Sequence, residues 1–189
     1  KENQPFNYSL YPYRVFQHIF LEGEFDKKFF LDRKKVKAFG TLRDNYESYH
    51  KKRSSSKKKS ALINVDFENN FDDFKRYKFI TEALKGCKMA GIDYALIQRG
   101  NDQADLSNYQ VTEDSLNTAL QKCSVFISRF SDSIFNALIL KIPTIYFNPN
   151  VDTSNKFEDP KGSFLKSVDA KSLSKKLKQI EKINFDDFY

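Results

Sequence analysis

The chain has 189 residues, of which 30% are charged and 15% aromatic, and a formal net charge of +7. That length suits one hydrophobic core, or one domain with an appendage. No run of about 18 apolar residues occurs, which excludes a membrane-spanning helix, and no apolar h-region opens the chain as a secretory signal would.

Cys87 and Cys123 are the only cysteines, each closing a helix-like segment. Two thiols without a framework point to a reducing, cytosolic setting and weigh against a disulfide between them. The first residue is Lys1 rather than Met, which fits a processed chain or a piece of a longer one. Much of the positive charge is local: Lys51, Lys52, Arg53, Lys57, Lys58 and Lys59 fall in one short stretch. The frequent Phe and Lys, with no Trp, fit a compositional bias of the source as readily as a function.

In chain order, residues 1–15 are aromatic and irregular. "VFQHIFLEGEFDKKFFLD" reads as a short strand, a turn at Gly23 and a short helix, and "KVKAFGTLRD" as a strand broken at Gly40. Residues 44–60, ending "KKRSSSKKKS", have no apolar face to bury and read as a basic loop. The pattern then becomes regular. "ALINVDF" is a buried-type strand, and "FKRYKFITEALKGCKMAG" is a helix with Phe74, Tyr77, Ile80, Leu84 and Cys87 at helical spacing, stopped at Gly91. "DYALIQ" is a strand, and "VTEDSLNTALQKC" a helix with Thr112 as its cap. "SVFIS", "SDSIFNALIL" and "PTIYF" read as strand, helix and strand, and a long polar loop follows. "SLSKKLKQIEKI", capped by Asp169, is an amphipathic helix with Leu173, Leu177, Ile180 and Ile183 near one face. Strands alternating with helices predict an α/β fold, a Rossmann-like parallel sheet flanked by helices, and the continuous apolar strands predict cover on both faces. The expected division is residues 1–45 as the remnant of an N-terminal domain and crossover, 46–60 as the basic loop and 61–189 as the Rossmann-like domain.

Most catalytic motifs are absent. His18 lies in an apolar strand and reads as a packed histidine, and His50 reads as solvated. There is no GxSxG elbow, no zinc-type Cys/His spacing, no GxGxxG and no P-loop. The pairs Asp72-Asp73 and Asp186-Asp187 read as surface or capping carboxylates. What remains is "SVFISRFSDSIFNALILKIPTIYFNP". Ser128 ends a strand, where open parallel sheets bind ligands, and Ser131, Asp132 and Ser133 begin a helix. Hydroxyls and backbone N–H groups there suit an anion such as a diphosphate. Taken alone, the same residues suit plain helix capping better, and Asp132 repels a phosphate unless it faces the cap or a sugar hydroxyl.

This stretch resembles the donor-binding segment of GT-B glycosyltransferases, in particular bacterial enzymes that build capsule, lipopolysaccharide or teichoic acid. Ser128, Ser131 and Ser133 match the family's hydroxyl positions, Ala137-Leu138 its Ala-Leu and Pro143 its Pro. Gly23-Glu24, and Gly40 with Arg43, are similar to the family's crossover between domains. "ALIQRGND" is similar to the strand ending in Arg-x-His-Pro, with Arg99 kept and His-Pro absent. Asn136 stands where the family has a Glu on the donor ribose, and Lys141-Ile142 replaces Gly-Lys. The lost His-Pro weighs against a CMP-sugar donor. The resemblance spans residues 16–183, the C-terminal half of such an enzyme, and the acceptor domain that supplies the catalytic base is mostly missing.

The resemblance implies the nucleotide-sugar-binding half of a transferase for cell-surface polysaccharide. Its donor would meet Gly40, Arg43, Arg99, Ser128, Ser131, Asp132, Ser133 and Asn136. It implies a nucleotide-sugar donor, a glycan or lipid-linked acceptor, no cofactor and no metal, and a cytoplasmic location. The alternatives are a non-catalytic Rossmann-like scaffold and a glycerophosphate-polymer transferase of the same fold. A sugar-nucleotide epimerase fits less well, because its acidic and His groups cannot be placed. Lys51–Lys59 suits an anionic membrane at the inner face better than nucleic acid, since no aromatic residue interleaves the tract and no nucleic-acid-binding pattern surrounds it.

Overall fold

The computed structural model describes residues 19–21, 36–38, 59–65, 73–98, 105–129, 131–151 and 165–180. The chain divides into two compact units, Lys1–Tyr49 and His50–Tyr189. In the first, β1 (Ile19–Leu21) and β2 (Val36–Ala38) pair in parallel, with Ile19 opposite Val36 and Leu21 opposite Ala38. Gly23, Glu24, Gly40, Arg43, Arg99, Asp72, the Asp186-Asp187 pair, both histidines and the basic tract up to Lys58 lie outside the described residues.

The second unit runs β3 (Ser60–Asn64), α1 (Asp73–Ala90), β4 (Asp93–Ile97), α2 (Leu116–Lys122), β5 (Val125–Ser128), α3 (Ser133–Ile139), β6 (Thr144–Phe147), β7 (Leu165–Ser167) and α4 (Ala170–Ile180). The strands form one parallel sheet in the order β4-β3-β5-β6-β7. Outside β4, Val111 adds a single parallel bridge. Leu96 N donates to Gln110 O and Thr112 N to Leu96 O, both at 2.9 Å. With that bridge counted as the third strand, the spatial order is third-second-first-fourth-fifth-sixth, the doubly wound arrangement. Its winding reverses between β3 and β5.

Strand residues alternate between two cores. Ala61 and Ile63, Val125 and Ile127, and Ile145 and Phe147 face α1 and α4, whereas Leu62, Phe126 and Tyr146 face α2 and α3. Both faces are covered, as the apolar runs predict. Cys87 belongs to the first core and Cys123 to the second, so the sheet lies between the two thiols and no disulfide joins them. Burial pushes the Cys87 thiol up to about 12, because a dry pocket disfavours the thiolate.

Helix α1 buries part of the expected stripe, Ile80 and Cys87 with Leu84 packed beside them, and departs from it in its first turns. Arg76, Phe79, Ile80, Ala83, Gly86 and Cys87 face inward, whereas Phe74 and Tyr77 are 73% and 62% exposed. The small residues decide this. A Cβ on Gly86 would sit 2.7 Å from Leu173 Cδ2 and 3.1 Å from Leu173 Cβ. The missing side chain thus lets α4 lie against α1. The helix ends as its Gly91 predicts. Gly91 has φ +69°, its N–H donates to Lys88 O at 3.2 Å, and Ile92 N–H donates to Cys87 O at 3.1 Å. This is a Schellman end, with Ile92 and Cys87 in one core.

Two other expectations need correction. Helix α2 starts later than the spacing suggests, and Ser115, not Thr112, is its N-cap, accepting from Thr118 N at 3.4 Å. The backbone of Thr112 is committed to Leu96, and its hydroxyl accepts from Asp114 N at 3.2 Å. The polar stretch after β6 contains the unexpected strand β7. Asp169 does cap α4. Its Oδ1 accepts from Ser172 N at 2.7 Å, Ser172 Oγ accepts in return from Asp169 N, and the backbone bond holds the carboxyl below its ordinary pKa. Glu82 of α1 accepts from Ala170 N at 2.9 Å, joining the same end of α4 to its neighbour.

Candidate functional site

The winding reverses between β3 and β5, and doubly wound sheets take their ligands at the carboxyl ends of the strands that flank such a point. Asn64 ends β3 and Ser128 ends β5, and the two residues are register partners. Asn64 is 5% exposed and Ser128 is fully buried. Their side chains have the parity of Leu62 and Phe126, so they meet the start of α3 on the α2/α3 side of the sheet.

A directed chain of hydrogen bonds runs through this corner. Ser128 Oγ donates its one proton to Arg129 O at 3.0 Å and therefore accepts from Asn64 Nδ2 at 3.3 Å. That sets the orientation of the amide, whose second Nδ2 proton goes to Ser133 Oγ at 2.9 Å. Ser133 Oγ, already accepting, donates to Ser131 Oγ at 2.8 Å, and Ser133 N donates to the same oxygen at 3.3 Å. Ser131 Oγ thus accepts twice, which fills both lone pairs of a hydroxyl. Its own proton has no acceptor among the described residues. Ser131 is half-buried and stands at the outer end of the chain.

The structure thus brings Ser128, Ser131 and Ser133 together and adds Asn64, which sequence reasoning missed. The available signal was a single amide ending an otherwise apolar strand, "ALIN". Asp132 is exposed and occupies the N-cap position in helical conformation, without a side-chain cap bond. The capping reading therefore fails for Asp132 and holds in part for Ser131, which accepts from Ser133 N. Asn136 lies one turn along α3, half-buried, and makes no hydrogen bond to the serines among the described residues. Helix α3 has only seven residues, so its dipole is short and the hydroxyls set the polarity of the corner.

A cavity of about 1010 Å³ lies at the opposite end of the sheet, where Ser60 and Asp93 begin their strands. Its charged lining is mixed, and Lys122 and Asp114 pair there at 2.7 Å, the main reason the Asp114 carboxyl lies below its ordinary pKa. The candidate site is the reversal point instead, because its polar groups converge and share one polarity. No group of three His, Cys, Asp or Glu suited to a metal occurs among the described residues. No helix there is long and apolar enough to cross a membrane.

No family model matches the chain, and no curated protein sequence is similar to it. Solved structures are. A variant of the wall teichoic acid polymerase TagF superposes over 93% of this chain and 53% of its own, with TM-score 0.51 at 19% identity. TarM superposes over 93% of this chain and 38% of its own, with TM-score 0.50 at 11% identity. The chain spans about half the length of the TagF structures. At such identities the likeness is one of architecture, and by that architecture the chain has the fold of a GT-B glycosyltransferase domain.

Proposed function

We propose that this chain is the donor-binding half of a GT-B transferase in cell-surface polymer synthesis, and that it takes the diphosphate of a nucleotide-linked donor at Ser131 and Ser133. The observation that carries the reading is the hydrogen-bond chain from Asn64 through Ser133 to Ser131 at the reversal point. Each hydroxyl in it is oriented by the one before, so the last presents a proton, as a phosphate oxygen requires. Bonds of this kind to a charged acceptor contribute about 1.5–3 kcal/mol each. Asn136 would reach the ribose. Asp132 would face a sugar hydroxyl. Arg43 or Arg99 would balance charge on the leaving nucleotide. The roles of Asn136 and of the arginines come from the family resemblance. The acceptor, a glycan or a lipid-linked polymer, and the catalytic base belong to the part of such an enzyme that this chain does not span. No metal or cofactor enters this scheme.

Titration calorimetry of UDP, CDP and GDP tests the reading. One of them should bind the chain at sub-millimolar concentration, and the Ser131→Ala/Ser133→Ala variant should bind it at least 10-fold more weakly. Asn64→Asp should weaken it as well, because a carboxylate turns the Ser133 proton inward and adds a like charge. Failure of all three nucleotides at millimolar concentration would leave a Rossmann-like scaffold without a donor site. The likeness to a teichoic acid polymerase favours one second reading, transfer of a polyol phosphate rather than a sugar, and CDP as the only ligand of the three would support it.

A further inference from the structure

The two helical layers differ in charge. Helix α4 carries four lysines and no acidic residue, and α1 carries five cations against Asp73 and Glu82. Glu82 is engaged by Ala170 N and lies 3.9 Å from Lys85. On the opposite layer, α2 holds one cation and α3 none. Arg76 is buried, but three lysines of each helix point outward. Lys78, Lys85 and Lys88 of α1 are exposed, and so are Lys171, Lys175 and Lys178 of α4. The α4 lysines recur at i, i+4 and i+7, within a narrow arc of its surface. Because Gly86 holds α1 against Leu173, the two stripes belong to one continuous face.

An ordinary solvated helix face interleaves both signs, which gains i,i+4 pairs. On α4 it sets like charges at those spacings, a local cost of a few tenths of a kcal/mol per pair that an anionic partner removes. The exposed face also presents Phe74 and Tyr77, 73% and 62% accessible, where the expected core stripe failed to turn inward. Aromatic rings beside lysines on a helical surface suit the headgroup boundary of a bilayer, where rings enter the acyl margin and ammonium groups stay with phosphates. A soluble polyanion would use the lysines and leave the rings idle. We infer that the outer face of α1 and α4 is a docking surface for an anionic membrane, distinct from the basic tract at Lys51–Lys59 and independent of the donor-site reading.

The test is flotation of the whole chain with vesicles of 30% phosphatidylglycerol in phosphatidylcholine, beside pure phosphatidylcholine vesicles. Binding to the anionic vesicles alone is expected, falling as salt rises. Lys171→Gln/Lys175→Gln/Lys178→Gln should lower the partition coefficient by roughly 100-fold, at about 1 kcal/mol per lysine. Those positions are exposed, so the variant should keep the wild-type circular dichroism and melting temperature. Phe74→Ser/Tyr77→Ser should lower it further in the anionic vesicles. Equal binding by the helix triple variant overturns the inference. So does loss of binding only when Lys51, Lys52, Arg53 and Lys57–Lys59 are changed to Gln. So does capture by soluble polyphosphate with no vesicle binding.

Discussion

The helices covering the two faces of the sheet are built to different rules. On one face α1 and α4 run 18 and 11 residues, meet through Gly86 and Leu173, and each carry a well-formed cap at one end, α1 at Gly91 and α4 at Asp169. On the other, α2 and α3 have seven residues each, and Asp132 gives α3 no side-chain cap. The long pair gains its stability from close contact between helices. The short pair lies on the side of the sheet that carries the Asn64–Ser133–Ser131 chain, at the start of α3. Rigidity and ligand access are thus divided between the two sides of one sheet, as expected where a strong scaffold carries a site on short elements.

The contrast can be broken most forcefully at Leu173. Leu173→Ala removes a fully buried side chain and should cost about 2–5 kcal/mol by denaturant unfolding. Gly86→Ala should come next, at about 1–3 kcal/mol, despite the better helix propensity of alanine, because the new methyl meets Leu173. In the double variant the methyl enters the space Leu173 vacates, so the combined cost should fall below the sum. Strict additivity would mean that α1 and α4 do not depend on that contact. Gly91→Ala should cost roughly 1–2 kcal/mol from backbone strain alone, since its φ of +69° is left-handed and nothing lies within 4 Å of the new methyl.

The smallest effect concerns the cap of α4. The Ser172 amide lowers the pKa of Asp169, so the cap's contribution is complete above the ordinary carboxylate value of about 3.9 and is lost as pH falls through the lowered one. Unfolding curves at about pH 6 and about pH 2.5 should therefore converge more in Asp169→Asn than in the wild type. An unchanged difference would mean that the carboxylate does not hold the helix end.

The alternation of apolar strands and helical spacing made the sheet and its two covered faces legible, because burial on both sides leaves unbroken runs such as "ALINV" and "SVFIS". Gly91 and Asp169 announced two helix ends, because each acts locally. The direction of α1 was less legible. Phe74 and Tyr77 carry more apolar surface than Ala83 and Gly86, yet the small residues face inward because a partner helix must approach there. The start of α2 was missed for a related reason. Val111 and Thr112 answer to β4 rather than to the helix that follows. The serines were visible in the sequence as a cluster. The role of Asn64 was not, since it comes from a strand 64 residues away from Ser128.

The single bridge at Val111 has a bearing on solubility. A parallel sheet ends in two rows of unpaired backbone groups, which invite the edge of another molecule. Here one margin is capped by contact at one residue, and the other is a three-residue strand with the exposed Lys166 at its centre. Among the described residues, neither offers a second chain enough length to template against. Lengthening the Val111 bridge into a regular strand, or replacing Lys166 with valine, would trade that protection for a longer sheet and a tendency to aggregate.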